Sequence, residues 1–297
     1  MGLDKNSSKV NIGEGKYTPF IRNGRFEKLA DANLSNNFLF VKVMSDEVIL
    51  KKFLEMVLGI KIKELKMIQY EKAVIPDIMA KSIRLDIYAD DGKNEGRGTL
   101  YNVEMQQRND YNIGKRSRYY QSAMDMNALK PGEDYESLSK SYIIFICLFD
   151  PFGKGLQRYT FMKKCAEDDS IDLEDDAATL ILTDNPGEPE IDKFFRYLKN
   201  STYEEAERSG SEFVKLLNEK VYSVRSDKKT EAEYMSFERY YRDQYNFGVM
   251  DGRAEGERLI ASRLKEKGMA DEEVAELLGV TSEALKTILD PEHKEIE

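Results

Sequence analysis

Histidine and cysteine are scarce in this chain of 297 residues, and their scarcity excludes several kinds of chemistry. The one histidine, His293, lies in a polar tail, whereas Ser-His-Asp hydrolysis, histidine-rich zinc sites and His-Asn-His nucleases all need more. The two cysteines, Cys147 and Cys165, are too few for a disulfide framework and predict reduced thiols in a cytoplasmic protein. Any catalysis must therefore use carboxylates, lysines, hydroxyl groups or a metal ion.

Long apolar runs are absent as well. No stretch of about 18 apolar residues occurs, so the sequence predicts no membrane-spanning helix and no membrane partner. The N-terminal segment MGLDKNSSKVNIGEGK has no apolar core, so we expect no secretory signal.

Charge is unevenly distributed along the chain, whose formal net charge is −10. Residues 1–165 hold 27 Lys and Arg against 21 Asp and Glu, whereas residues 166–297 hold 18 against 34. The acidic average therefore hides a mildly basic N-terminal half, which leaves nucleic acid open as a partner.

Apolar periodicity predicts an α/β region followed by helices. A helical pattern runs from Asn33 to Gly59 with an internal cap at Ser45-Asp46, and SYIIFICLFD, residues 141–150, is a strand buried on both faces. From Glu188 onward only helical patterns occur. The other predicted elements are a strand around Lys63–Val74, a hairpin within Ser82–Gln107, a helix over Gly114–Leu129, and strands in LQRYTFMKKC and ATLILTD.

Two carboxylates stand in the neighbouring strands of the predicted hairpin. Asp86 and Glu104 each alternate with apolar residues, which predicts that both point to one face of the sheet. Adjacent strands bring such side chains to about 5 Å, so the pair can share one Mg²⁺. From the pattern alone, a surface strand with ordinary ion pairs is an equally good explanation. Other groups within reach of such an ion or its substrate are the side chains of Asn102 and Gln106 and the backbone carbonyl of Met105.

The chain resembles the PD-(D/E)XK nuclease family transposases, also called recombination-promoting nucleases. The resemblance covers roughly residues 33–185 and implies a restriction-endonuclease-like core with a mixed sheet flanked by helices. It also implies Mg²⁺-dependent cleavage of DNA phosphodiester bonds, with Mn²⁺ able to replace Mg²⁺. The segments that carry it are NNFLFVKVM, SIRLDIYADD, YNVEMQQR, KRSRYYQSAMD, LKPGEDYESLSKSYIIFICLFDPFGKGLQRYTF and LEDDAATLILTDN.

The resemblance also implies roles for individual residues. Asp86 becomes the metal-binding aspartate, and Glu104-Met105-Gln106 stands where the superfamily has (D/E)XK, with a neutral glutamine in place of lysine. Asn37 stands where an acidic residue is expected in the first helix. The literal dipeptide Pro76-Asp77 is a competing candidate, but a turn-like segment follows it, so Asp86 is preferred.

The helix after the hairpin carries the basic and aromatic segment KRSRYYQ. Such residues can hold phosphates or stack on bases, although a solvated helix face is the plainer alternative. Arg116 and Gln121 are the preferred substrate contacts. The full set of predicted DNA-binding residues is Lys115, Arg116, Arg118, Tyr120 and Gln121.

Near the C-terminus, Ala275, Gly279 and Leu285 have the spacing of a helix-turn-helix. Because this unit is acidic, self-association into a homo-oligomer is preferred over DNA binding. The predicted domains are an arm over 1–32, a nuclease-like domain over 33–185, a helical extension over 186–268, and a helical hairpin with a tail over 269–297.

Two functions from different classes remain open. The first is a metal-dependent DNA endonuclease that promotes recombination or transposition. The second is a nuclease-fold module that binds DNA or a partner and cleaves weakly or not at all, which Gln106 and Asn37 favour.

Overall fold

One mixed sheet of six strands forms the centre of the part of the chain that the computed structural model describes, residues 21–22, 25–74, 83–92, 98–109 and 111–290. A short antiparallel ribbon, β1 with β2, precedes this sheet. The strands are β1 Ile21–Arg22, β2 Arg25–Phe26, β3 Met67–Val74, β4 Ile83–Asp90, β5 Leu100–Gln106, β6 Ser141–Cys147, β7 Arg158–Phe161 and β8 Ala177–Thr183.

The sheet has the strand order β3-β4-β5-β6-β8-β7. Strands β3, β4 and β5 pair antiparallel, β5, β6 and β8 pair parallel, and β7 closes the far edge antiparallel. In β6 every residue except Tyr142 is buried, as expected for a parallel strand covered on both faces. The predicted mixed α/β core is therefore confirmed.

The helices start and end where local chemistry predicts. Asn36 accepts hydrogen bonds from the N–H groups of Phe38 and Leu39, Asp46 caps the second helix, and Gly59 ends that helix with a φ of 67°. The helices are α1 Asn37–Met44, α2 Glu47–Leu58, α3 Ile113–Ala128, α4 Pro189–Lys199, α5 Tyr203–Ser209, α6 Glu212–Ser226, α7 Lys228–Glu266, α8 Asp271–Leu278 and α9 Ser282–Leu289.

Helix α3 covers one face of the sheet. Its Ala123 and Met124 pack in one core cluster with Ile143 and Phe145 of β6. Phe145 stands beside Glu104 in the register of β5 and β6, so α3 lies over the face that carries Glu104.

Three sequence predictions need correction. The strand expected around Lys63 begins at Met67, where the register with β4 starts. The helical pattern expected from Asn33 begins at Asn37, whereas its predicted internal cap is confirmed, because Ser45 and Asp46 separate two helices. The arm also contains ordered structure, because Leu29–Asp31 form a helical turn with Leu29 buried.

The described residues divide into two compact units, one that ends at Tyr234 and one that begins at Met235. In the second unit, α8 and α9 pack on the end of α7 through Ala261, Val274, Ala275 and Leu285. Gly279 turns the chain between α8 and α9 with a φ of 68°, which confirms the predicted hairpin. The four predicted domain bounds stay a prediction.

The dipeptide Pro76-Asp77 and His293, which the sequence predictions name, lie outside the described residues. None of the helices that the structure describes is both long enough and apolar enough to span a membrane.

Candidate active site

The antiparallel pairing of β4 and β5 brings Asp86 and Glu104 together. The register pairs Ile87 with Val103, so the next position along places Asp86 opposite Glu104. The N–H of Asp86 donates to Oε1 of Glu104 at 3.1 Å, and the N–H of Met105 donates to Oδ2 of Asp86 at 3.0 Å. Each carboxylate is therefore held by the backbone of the other strand.

The environment of Glu104 opposes its negative charge. The residue is only 2% exposed. Burial raises the pKa of Glu104 well above its usual range, and the charge of Asp86 raises it further. The N–H of Asp86 and the guanidinium of Arg116 lower this pKa only in part. A bound cation would favour the doubly ionised pair.

Arg116 of α3 reaches across to the end of β5. Its Nη1 donates to Oε1 of Gln106 at 2.7 Å, and its Nη2 lies 3.6 Å from Oε2 of Glu104. Nη2 also donates to the hydroxyl of Tyr120 at 3.1 Å. The guanidinium lies 5.4 Å from the ring centroid of Tyr120 and 5.8 Å from that of Phe145. The structure thus joins Glu104, Gln106 and Arg116 in one cluster.

The contact between Arg116 and Gln106 is not predicted from the sequence. There, Arg116 is expected to contact substrate and Gln106 to replace a lysine, with no link between the two residues. The available signal is the position of Arg116 in the first turn of the helix that follows β5. A basic side chain there can return over the end of the strand.

The other predicted DNA-binding residues of α3 occupy different positions. Lys115 and Arg118 are exposed. Tyr120 stacks on Phe145 at a centroid distance of 6.4 Å, and burial raises the pKa of its hydroxyl. Tyr120 therefore packs inward, under Arg116.

Gln121 lies away from the carboxylate pair. Its Nε2 donates to Oγ of Ser141 at 2.6 Å and to Asp125 at 2.9 Å. Ser141 stands opposite Leu100, four strand residues before Glu104, which corresponds to about 13 Å. The structure does not bring Gln121 to the site, and its role in DNA binding stays a prediction.

Asn102 is a buried polar residue beside Glu104. Its side chain is wholly buried, between Tyr88 of β4 and Ile143 of β6 in the register. Within the described residues, neither Oδ1 nor Nδ2 has a hydrogen-bond partner of good geometry. The amide still lies close enough to Glu104 to help lower the pKa of that carboxyl group. Burying an amide in this way is unfavourable, so the site retains a polar group at the expense of stability.

Asn37, the first residue of α1, lies near the end of β5. Its Oδ1 accepts a hydrogen bond from Nε2 of Gln107 at 3.2 Å. Because Gln107 directly follows Gln106 at the end of β5, α1 contacts the chain next to the cluster of Glu104, Gln106 and Arg116.

The oxygen groups at the hairpin fit a hard divalent cation. Mg²⁺ is commonly held by one or two carboxylates together with water and substrate phosphate. Gln106 turns its carbonyl toward β6, where it accepts from the N–H of Leu148 at 3.0 Å. Backbone direction alternates along a strand, so the carbonyl of Met105 faces β4 and the Asp86 side. Within the described ranges, no group of three or more His, Cys, Asp or Glu side chains could hold a metal, so further ligands must come from other groups.

The fold is a mixed six-stranded sheet flanked by helices, and the comparison with protein families identifies the family to which it belongs. A family model described as PD-(D/E)XK nuclease family transposase matches residues 35–248. This match covers more than half of the chain, so the chain belongs to that family. Membership assigns it a nuclease- or transposition-related function with DNA as substrate. No curated protein and no solved structure matches the chain at a significant level.

Proposed function

We propose that the chain is a Mg²⁺-dependent DNA endonuclease whose cuts promote recombination or transposition. One observation carries the proposal within this family: Asp86 and Glu104 lie opposite each other, with Glu104 buried and its pKa raised. A buried carboxylate beside a second carboxylate destabilises a protein unless positive charge balances the pair. The fold therefore retains an arrangement that serves chemistry.

The proposed roles follow from the atoms at the hairpin. Asp86, Glu104 and the backbone carbonyl of Met105 hold Mg²⁺, and Mn²⁺ can replace it. When bound, such an ion activates a water molecule and neutralises negative charge on the phosphate. Gln106, whose Oε1 is already held by Arg116, orients the reacting groups. The buried carboxylate of Glu104 keeps its place because the N–H of Asp86 binds it.

DNA binding is proposed for the basic surface of α3. Lys115 and Arg118 are exposed and can contact phosphates along the backbone of the duplex. Arg116 lies at the end of β5 beside Glu104, so it acts near the cleaved phosphate. Tyr120 packs beneath Arg116 and Gln121 lies outside this group, so their roles in DNA binding stay predictions.

The C-terminal hairpin is proposed to mediate self-association. Helix α8 has Asp271, Glu272 and Glu273 in its first turn, and α9 offers Lys286 in its last turn. Such a surface repels phosphate, which favours self-association or binding of a protein partner over DNA binding.

A second candidate is a DNA-binding module with weak or no cleavage. Gln106 favours it, because a neutral amide cannot supply the charge of the superfamily lysine. The two candidates differ in one measurable property, turnover.

Cleavage of supercoiled plasmid distinguishes the candidates. The purified protein is incubated with DNA and Mg²⁺, Mn²⁺ or a chelator. The variants are Asp86→Asn and Glu104→Gln, and the matched control is Asp90→Asn, which removes a carboxylate from the same strand. The endonuclease proposal expects metal-dependent nicking by wild type and Asp90→Asn only. Binding without nicking by wild type in both metals supports the second candidate.

A further inference from the structure

We propose that Arg116 is a catalytic residue that supplies the positive charge normally carried by the lysine of the (D/E)XK triplet. The inference rests on the nuclease function proposed above. It assigns Arg116 to the reacting phosphate, whereas Lys115 and Arg118 bind DNA elsewhere. The charge thus comes from α3, and Gln106 in β5 holds it in place.

The contact with Gln106 is the first observation that carries this inference. The side chain at the lysine position has no charge, yet its Oε1 accepts a hydrogen bond from Nη1 of Arg116 at 2.7 Å. A glutamine oxygen is a good acceptor for a guanidinium N–H. Gln106 therefore places a cation next to the position where a lysine would have carried one.

The second observation is that the guanidinium lies beside the buried acid on a side chain that reaches solvent. Nη2 of Arg116 lies 3.6 Å from Oε2 of Glu104, and the Arg116 side chain is 26% exposed against 2% for Glu104. A phosphate that approaches the carboxylates from solvent thus meets Arg116 beside them. Arginine stays charged at every relevant pH and its planar fork suits phosphate oxygens.

The third observation is that Arg116 is held in position before any substrate arrives. Its Nη2 donates to the Tyr120 hydroxyl, and its guanidinium lies over the rings of Tyr120 and Phe145. One residue along, Ser117 bonds Thr179 of β8 at 2.5 Å, which fixes this turn of α3 to the sheet. A charge held in advance stabilises developing negative charge without further rearrangement.

A structural counter-ion for Glu104 is the competing explanation for Arg116. In that role Arg116 only has to lie close to Glu104, and no positive charge has to reach the phosphate. The catalytic role predicts instead that a lysine at position 106 can replace Arg116. Exchange of the charge between the two positions therefore separates the two explanations.

The test compares wild type with Arg116→Gln, Arg116→Lys, Gln106→Lys and the double variant Gln106→Lys/Arg116→Gln. Single-turnover plasmid cleavage gives the rate, DNA binding in Ca²⁺ gives the affinity, and Mn²⁺ titration gives metal binding. Arg116→Gln should lower the rate by about 100-fold or more, with DNA and Mn²⁺ affinities within about 3-fold, a loss of roughly 0.65 kcal/mol at most. Arg116→Lys should retain more rate than Arg116→Gln, and the double variant should recover at least about 10-fold.

Three results would overturn the inference. Cleavage by Arg116→Gln at nearly the wild-type rate removes the catalytic role while leaving the nuclease function intact. Loss of Mn²⁺ affinity in Arg116→Gln without rescue by Gln106→Lys identifies a structural counter-ion. A wild type that does not cleave overturns the proposed function and this inference together.

Arg116→Lys decides the question where Arg116→Gln does not fold, because it keeps a positive charge beside Glu104 but loses the planar fork that suits phosphate oxygens. The catalytic role expects slower cleavage than wild type with unchanged affinities for DNA and Mn²⁺. A purely structural role expects cleavage near the wild-type rate, because a cation still lies beside Glu104.

Discussion

The pKa values of two acidic side chains in this fold, Glu104 and Asp150, are shifted in opposite directions. Burial and the charge of Asp86 raise the pKa of Glu104 well above its usual range. Burial also acts to raise the pKa of Asp150, but hydrogen bonds, led by those from the N–H groups of Gly155 and Phe152, outweigh it and lower this pKa to about 2. The difference lies in the donors that each carboxylate receives.

Asp150 is surrounded by donors that close a loop. Both of its oxygens accept from the hydroxyl of Tyr159 at 2.9 Å, and Oδ2 also accepts from Nδ2 of Asn185 at 3.2 Å. The N–H groups of Phe152 and Gly153 bind Oδ1 at 3.0 Å. An acid so completely bound stabilises structure, whereas an acid with a neighbouring charge and few donors is the arrangement expected of the proposed active site.

The largest expected effect is on DNA cleavage, which should need Asp86 and Glu104 but not Asp150. Asp86→Asn and Glu104→Gln should lower plasmid cleavage by roughly 1000-fold or more, the upper range for losing one fixed group. Asp150→Asn should keep most activity, because its carboxylate binds only its own loop and neighbours. Asp77→Ala serves as a further control, and its loss of cleavage with Asp86→Asn unaffected would contradict the assignment.

The second prediction concerns stability at rising pH without metal. The pKa of Glu104 is raised in the folded protein, so folded Glu104 keeps a proton that the unfolded chain loses above about pH 4.5. Wild-type stability should therefore fall as pH rises above about 4.5, until the pH passes the raised pKa of folded Glu104.

Chemical denaturation in a chelator at pH 4 to 8 measures this effect. Glu104→Gln should lack the decline and should be more stable than wild type near pH 8. Equal slopes for the two proteins would show that Glu104 is not the group that loses the proton.

The third prediction concerns Asp150, whose contribution to stability is lost as pH falls, whereas that of Glu104 is lost as pH rises. The lowered pKa of Asp150 means that its charge stabilises the fold above about pH 3.8, and this contribution is lost as pH falls toward about 2. Asp150→Asn should remove that acid-dependent part of wild-type unfolding. Thermal midpoints between pH 2 and 5 measure it, and an unchanged acid slope in Asp150→Asn would argue against the loop assignment.

The smallest effect is expected from a charge reversal in the C-terminal hairpin, compared with the same kind of change in α3. In α3, Arg118→Glu should weaken DNA binding. It should also reduce the slope of log K against log salt by about the amount that one phosphate contact contributes. Lys286→Glu should change neither quantity appreciably, because α9 is proposed to meet protein. Binding titrations at two salt concentrations measure both, and a larger loss from Lys286→Glu would assign DNA binding to the hairpin.

The sequence predicted the parts of the site that depend on local pattern. Alternation along two neighbouring strands placed Asp86 opposite Glu104, and a cap at Asp46 with a stop at Gly59 located the second helix. These features follow from backbone periods and short-range hydrogen bonds. The family resemblance extended them to the whole fold, which the family match confirms.

The rest depends on how distant elements lie against each other. The angle of α3 across the sheet brings Arg116 to Gln106 and carries Gln121 to Ser141 instead. Neither contact is visible in a pattern, because each joins a helix to a strand through packing. The buried amide of Asn102 likewise follows from the two covering layers and not from its own strand.

Metal-dependent stability tests the central claim most directly. An ion that binds only the folded site raises stability by about 2.7 kcal/mol at 100 times its dissociation constant. Thermal unfolding with increasing Mg²⁺ or Mn²⁺ should therefore raise the midpoint of wild type, leave Glu104→Gln unchanged, and raise Asp150→Asn by the same increment as wild type. An unchanged wild-type midpoint, or an equal rise in Glu104→Gln, would contradict a metal site at Asp86 and Glu104.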